Sequence, residues 1–312
     1  MRYRPLGRTG LDVSVISLGS WRTFGGSADE QTCIDRIHRA FELGVNFFDT
    51  ADLYESGHAE EIVGRAIVTL PRDRVIVGTK VFYPTRTGQG LGRTHVLAAC
   101  DESSRRLGLD VIDLYQCHRY DPSTVLEETC RVMHDLVQAG KIRHWGVSEW
   151  SAGQIADAVA ICEREGLPPP ATDQPNYSML LRHAEKEVLP ACGRLGLGVV
   201  VFSPLAQGVL TGKYRSANRV PPDSRAAGGH GAFFVRPLLS RDNFRKIDRL
   251  RPIASELGLT LGQLALAWIL RRPEVTSTIV GATKLAQVEE NVRAADVDLE
   301  AGTLDAVERA LA

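Results

Sequence analysis

From residue 15 to residue 280 the chain alternates short β-branched or aromatic runs with amphipathic stretches, and this alternation leaves few folds open to it. The runs are 15–19, 45–49, 74–80, 111–117, 142–148, 171–174, 198–202 and 276–280. Between two of them, residues 30–43 place Cys33, Ile34, Ile37, Ala40, Phe41 and Leu43 on one helical face. Residues 123–139 do the same with Val125, Leu126, Val132, Met133, Leu136 and Val137. Eight strand–helix units in ~250 residues or somewhat more predict a (β/α)8 TIM barrel, here a single α/β domain over 1–312. A doubly wound open sheet is the alternative that periodicity leaves open. Residues 2–14 predict an N-terminal β-hairpin turning at Gly7-Arg8-Thr9-Gly10, and extra helices are expected outside the eightfold repeat. Residues 203–241 hold Pro204, Pro221, Pro222, Gly228, Gly229, Gly231 and Pro237. This segment exceeds an ordinary βα connection and predicts a lid or binding loop.

Charge and cysteine usage remove several classes of function. A net charge of -1, from 37 basic and 38 acidic residues, gives no electrostatic reason to expect nucleic acid or an anionic membrane as partner. The apolar runs are strand-sized, too short to span a bilayer, and Met1-Arg2-Tyr3-Arg4-Pro5 does not open a signal peptide. Six cysteines without a CxxC or close pair predict buried thiols in a reducing cytoplasm, not a disulfide framework or a metal site. Cys117 reads as a core thiol despite its neighbour His118. No GxGxxG follows the first strand, so a Rossmann nucleotide site has no support. Gly208-Val209-Leu210-Thr211-Gly212-Lys213 departs from a P-loop in spacing and in Tyr214. Asn176-Tyr177-Ser178 is a glycosylation sequon by pattern alone. The expected partner is a small molecule, and the oligomeric state is open.

Four polar residues suit one another chemically. Asp49 ends Val45-Asn46-Phe47-Phe48, Lys80 ends Val75-Ile76-Val77-Gly78-Thr79, His118 follows Val111 to Cys117, and Tyr54 lies in the loop after Asp49. Singly, each has an ordinary reading: a cap, a solvated lysine, a core histidine, a surface ring. In a parallel barrel the C-terminal ends of all strands meet on one rim, where catalysis occurs in such folds. A tyrosine with a neighbouring lysine is expected to ionise more easily, and an aspartate would hold that lysine charged.

Phe47-Phe48-Asp49-Thr50-Ala51-Asp52-Leu53-Tyr54 resembles a signature of the aldo-keto reductases. Gly146-Val147-Ser148, Gln174-Pro175-Asn176-Tyr177, Ser203-Pro204-Leu205, and Gly281-Ala282-Thr283 with Glu290-Asn291 resemble its other motifs in order. Leu18-Gly19-Ser20-Trp21-Arg22-Thr23-Phe24-Gly25-Gly26 resembles the branch that holds the potassium-channel β subunits and their bacterial relatives. The resemblance implies reversible reduction of an aldehyde or ketone with NADP(H). It implies a catalytic tetrad of Asp49, Tyr54, Lys80 and His118, with Tyr54 the proton donor and His118 holding the substrate oxygen. Channel β subunits typically carry Asn where this chain has His118, which favours the reductase pattern over a redox-sensing regulatory subunit. For the cofactor it implies Ser20, Trp21 and Asp49, with Ser148 and Gln174 at the carboxamide and Phe202 stacked on the nicotinamide. It further implies Ser203, Pro204, Leu205, Gln207, Gly208, Lys213 and Arg225 along the pyrophosphate, and Gly281, Thr283, Lys284, Gln287, Glu290 and Asn291 around the adenosine. Lys284, Thr283 and Arg225 would favour NADPH by meeting a 2′-phosphate. Trp21, Tyr54 and His118 would line the substrate pocket, with loops around 24–27, 83–92 and 225–240. Glu149 stands where many members have Asn.

Overall fold

The structure is a computed structural model that describes residues 1–312 apart from 26–28, 218 and 223. A hairpin of β1 (Tyr3–Pro5) and β2 (Asp12–Ser14) precedes eight barrel strands. These are β3 (Ile16–Gly19), β4 (Phe47–Asp49), β5 (Ile76–Val81), β6 (Ile112–Cys117), β7 (Ile142–Ser148), β8 (Thr172–Gln174), β9 (Gly198–Val201) and β10 (Val275–Val280). They close in the ring order β10-β3-β4-β5-β6-β7-β8-β9, every neighbouring pair parallel. All eight expected runs are therefore strands, and closure excludes the open doubly wound sheet. The runs read as nearly unbroken apolar stretches because helices cover their outer faces while the barrel interior fills from the other.

The amphipathic reading of the helices holds in the main, though Val125, expected on the apolar face of 123–139, is exposed just before the helix begins. The helix Glu30–Glu42 starts where Asp29 accepts the Thr32 amide, and it buries Cys33, Ile37 and Ala40. The helix Leu126–Gln138 buries Cys130, Val132, Met133 and Leu136.

Inside the ring a small apolar layer joins Phe47, Ile76, Leu114, Val200 and Ile279 with Leu6 and Val13 of the hairpin. The hairpin thus plugs the N-terminal end of the barrel, leaving the C-terminal end for the loops. Glycines keep the interior open: a Cβ at Gly146 would lie 2.0 Å from Thr172 Oγ1, and one at Gly19 would lie 2.5 Å from Ile279 Cγ2.

Outside the eightfold repeat lie the helices Gly229–Val235 and Arg241–Glu256, with Ala301–Leu311 closing the chain. Among the described residues no single helix is long and apolar enough to cross a membrane. The segment 203–241 is not an irregular loop. It carries 3-10 turns at Ala206–Thr211, Arg225–Ala227 and Arg236–Leu238 beside the helix Gly229–Val235. Its residues 218 and 223, like Gly26 and Ser27 of the expected 24–27 pocket loop, lie outside the described residues.

Candidate active site

Side chains along a strand alternate between its two faces. The inward apolar layer fixes that parity: Phe47, Ile76 and Leu114 point into the barrel. Moving two or four residues toward the C-terminal end on the same face reaches Asp49, Lys80 and His118. The sequence therefore sends an apolar plug and a polar crown to opposite ends of one interior.

The crown is a bonded cluster. Lys80 is fully buried, and its Nζ donates to Asp49 Oδ2 at 2.7 Å and to the Thr50 carbonyl at 2.7 Å. Its third contact is the Tyr54 hydroxyl oxygen at 3.5 Å. The other oxygen of Asp49 accepts the Gln174 side-chain amide at 2.9 Å. Tyr54 meets His118 edge-on, ring centroids 5.8 Å apart, and Tyr83 meets His118 from another side at 5.0 Å. An ammonium has donors and no lone pair, so the Tyr54 proton cannot be given to Lys80 and is left for another acceptor.

Burial and the Asp49 charge push the Tyr54 hydroxyl well above its ordinary value. The net direction runs against the expected easing of its ionisation by Lys80, whose contact with the phenolic oxygen remains. Asp49 offsets the lysine charge at bonding distance, and burial of the ring then decides the sign. Burial, aided by Lys80 and Arg119, holds His118 well below its usual range, so the imidazole is neutral. Lys80 is itself lowered by burial, against the support of Asp49. Asp52 is buried without a partner for either carboxylate oxygen. Burial and the neighbouring Glu60 raise it to about 7.

The other expected positions fall into three groups. Near the crown, Ser148 Oγ donates to the Gln174 carbonyl at 2.8 Å, and Ser20 Oγ donates to Thr50 Oγ1 at 2.9 Å. Half-buried Phe202 follows β9 and bridges to Asn176. Over the rim, Arg225 donates to Gln207, Gln207 donates to Ser203, and the Arg225 guanidinium lies 5.0 Å from the Trp21 ring centroid. Pro204 is buried and Leu205 half-buried there, and a Cβ on Gly208 would touch Lys213 Nζ at 3.0 Å. After β10, exposed Gly281, Thr283 and Lys284 lead into the helix Leu285–Arg293. Gln287 caps that helix by accepting the amides of Thr283 and Lys284. Glu290 is half-buried and Asn291 buried.

Several residues at the site gain a task only from the structure. Glu149 accepts the Asn176 backbone amide at 2.6 Å through its carboxylate. Asn176 Oδ1 is buried with no donor, an acceptor suited to an amide N–H beside Ser148 and Gln174. Buried Arg36 donates to the carbonyls of Thr23 (2.8 Å) and Ala282 (3.0 Å), tying the loop after β3 to the loop after β10. Tyr83 and Arg119 stand beside His118. Apart from Arg36, which lies in the helix Glu30–Glu42, these are loop residues, and no periodic signal marks them.

Backbone strain points to the same rim. Seven described non-glycine residues have φ from 47° to 59°: Arg22, Glu55, Ser56, Glu149, Ser203, Ala206 and Gln207. All follow the C-terminal ends of β3, β4, β7 or β9. Such outliers cost of order 1–3 kcal/mol each and cluster at functional sites.

A family model described as the aldo/keto reductase family matches residues 15–312. The chain belongs to the aldo/keto reductase family. It is 43% identical over 302 residues to a probable voltage-gated potassium channel subunit beta of Arabidopsis thaliana, covering 95% of this chain and 92% of that protein. A protein of the same description from Oryza sativa subsp. japonica is 44% identical over 302 residues, with the same coverage of 95% and 92%. A putative voltage-gated potassium channel subunit beta of Schizosaccharomyces pombe is 40% identical over 305 residues, covering 94% of this chain and 88% of that protein. Within this aldo/keto reductase the polar crown lies where barrel enzymes of many families keep their chemistry.

Proposed function

We propose that this protein is a cytoplasmic NADP(H)-dependent oxidoreductase that reversibly reduces an aldehyde or ketone to an alcohol. The observation that carries the reading is the Tyr54 hydroxyl. It accepts from Lys80, keeps its own proton, and sits beside a neutral His118. A bound reduced nicotinamide supplies the hydride. Tyr54 gives its proton to the substrate oxygen as negative charge builds there. Lys80 stays hydrogen-bonded to the phenolic oxygen and stabilises the charge that Tyr54 acquires as the proton leaves. Asp49 holds Lys80 in place, and Gln174 in turn holds Asp49. The His118 imidazole, uncharged, donates one N–H to the same substrate oxygen and fixes its distance from Tyr54.

The chain's own groups suit the dinucleotide. The unpaired Asn176 Oδ1, with Ser148 and Gln174, would receive the carboxamide. The segment 203–213 with Arg225 would meet the pyrophosphate, and residues 281–291 the adenosine. A helix start after β10 favours phosphate through its amide dipoles.

The names of the relatives, as voltage-gated potassium channel subunits beta, favour a second reading: an NADP(H)-binding regulatory subunit with little turnover. Following NADPH absorbance over a panel of simple aldehydes separates the two. The reductase reading expects multiple turnovers that Tyr54→Phe slows by ~10²–10⁴-fold. Tight NADPH binding without turnover of any aldehyde or ketone would support the subunit reading.

A further inference from the structure

The rim carries one cation for which carbonyl reduction alone has no task. Arg119 follows His118 on the loop after β6. Its Nη1 donates to the His118 carbonyl at 2.6 Å, and its guanidinium lies 5.8 Å from the centroid of Tyr83, the ring that packs on His118. Among the described residues no carboxylate pairs with it. Asp121, the nearest acid in sequence, is fully engaged. Its Oδ1 accepts the Ser123 amide and hydroxyl, and its Oδ2 accepts the Leu91 amide and the Thr124 hydroxyl. A guanidinium offers five N–H donors in a planar fork. The protein takes up one end of that fork and leaves the rest without an acceptor, half-buried beside the reacting groups.

The cofactor does not account for this charge. The segments expected to meet its phosphates follow β9 and β10. In the closed ring β6 stands across from β10, four strands away in either direction. Arg225, one of several cations of the long segment, also follows β9 and so stands with the cofactor segments. Arg119 therefore faces a different negative group, at a place defined by Tyr54, Tyr83 and His118. There the occupant is the carbonyl substrate.

We propose that Arg119 determines substrate specificity by binding a carboxylate on the substrate, so that the preferred substrates are aldehydes carrying an anionic group. The proposal rests on the reductase reading and names its substrate class. Tyr83 stacks on the fork and orients it, and the His118 carbonyl fixes one end, so a planar carboxylate can take the free edge through paired N–H bonds.

The test compares 4-carboxybenzaldehyde and 3-carboxybenzaldehyde with their carboxamide counterparts, which nearly match them in shape and lack the charge. NADPH oxidation is followed for the wild type, Arg119→Gln and Arg119→Lys. The wild type should favour at least one carboxylate isomer in kcat/KM by about 10- to 100-fold, mainly through KM, as expected for charge-assisted bonds. Arg119→Gln should bring that ratio near unity, and Arg119→Lys should keep part of it. A merely structural Arg119 would lower all rates together and leave the ratio unchanged. Equal kcat/KM for charged and uncharged aldehydes in the wild type, or an unchanged ratio in Arg119→Gln, overturns the proposal. If no aldehyde is reduced, the reductase reading fails, and binding decides the proposal separately. Benzoate should then bind the protein–NADP+ complex more tightly than benzamide, and Arg119→Gln should remove the difference. No preference for benzoate sinks the proposal.

Discussion

Lys80 is an ammonium with no exposed surface, and it persists because Asp49 and the Thr50 carbonyl each bond it at 2.7 Å. The pair nearly cancels in charge, so Tyr54 remains a protonated phenol, and a proton donor must be protonated to work. Tyr54→Phe keeps the ring and removes that proton. The expected result is a kcat for carbonyl reduction lower by ~10²–10⁴-fold with NADPH affinity little changed. Near-normal turnover would remove Tyr54 from the role. The pH profile follows from the same shifts. Tyr54 is raised, so the donor form survives past the ordinary tyrosine value of about 10. His118 is lowered, so it stays neutral down through the ordinary histidine value of about 6.5. Reduction should therefore show no inflection in kcat between about pH 6.5 and about pH 10 from either group. A clear drop inside that window would contradict the assignments. Asp52 makes a second prediction at this scale. Its folded value of about 7 lies above the ordinary 3.8, so the folded state binds the extra proton. The Asp52 contribution to stability is then most favourable below about pH 4, falls as pH rises from about 4 to about 7, and stays lower above that. The groups setting this are Glu60, which raises Asp52, and Arg106 and Lys80, which lower it. Asp52→Asn should raise Tm at pH 8 relative to the wild type, with the gain shrinking toward pH 4. The gain is at most about 4 kcal/mol, from a shift of about three units. An equal Tm difference at both pH values would show that Asp52 does not titrate in this window.

At the scale of elements, the two amides just before the helix Leu285–Arg293, of Thr283 and Lys284, are gathered on Gln287, and Lys284 stands at the helix entrance. A phosphate meeting Lys284 would gain a charge-assisted contact worth about 1.5–3 kcal/mol. Lys284→Met should therefore weaken NADPH more than NADH when dissociation constants for both are measured. Equal weakening would take Lys284 away from the 2′-phosphate. The strands were legible because parallel strands buried on both faces are written as apolar runs. Asp49, Lys80 and His118 stood out because polar residues end such runs. The parity from Phe47 to Asp49 and from Ile76 to Lys80 was also present in the sequence, and the apolar plug shows its meaning. Other features were not legible. Arg36 spans from a helix to two loop carbonyls, and Asn176 is orphaned only by the packing around it. The direction of the Tyr54 shift depends on burial, which spacing does not encode. The short helical turns within 203–241 arise from tertiary contacts and sit among the prolines and glycines that suggested an irregular loop.

At the scale of the whole molecule, the eight loops form one rim, and the segment 203–241 packs across part of it through Arg225, Gln207, Trp21 and Phe234. Trp21 meets Phe234 edge-on with centroids 5.1 Å apart, and Arg225 stacks on Trp21. Strain at Ser203, Ala206 and Gln207 lies in the first turn of this segment. Local structure held by strained backbone and a few side-chain contacts opens more readily than strands buried on both faces. A pyrophosphate seated beneath it would add charge-assisted bonds that the segment lacks alone, so opening would then cost more and cofactor release would slow. Hydrogen exchange across 205–235, measured with and without NADPH, should show a marked rise in protection on binding. Arg225→Ala should reduce that rise, because both the bond to Gln207 and the stack on Trp21 are lost with the guanidinium. The off-rate of NADPH, read from its fluorescence, should increase in the same variant. Exchange that ignores the cofactor would mean the segment does not close over it. Its contacts with Trp21 would then belong to substrate binding, and the Arg225→Ala effect should move to the KM for aldehyde.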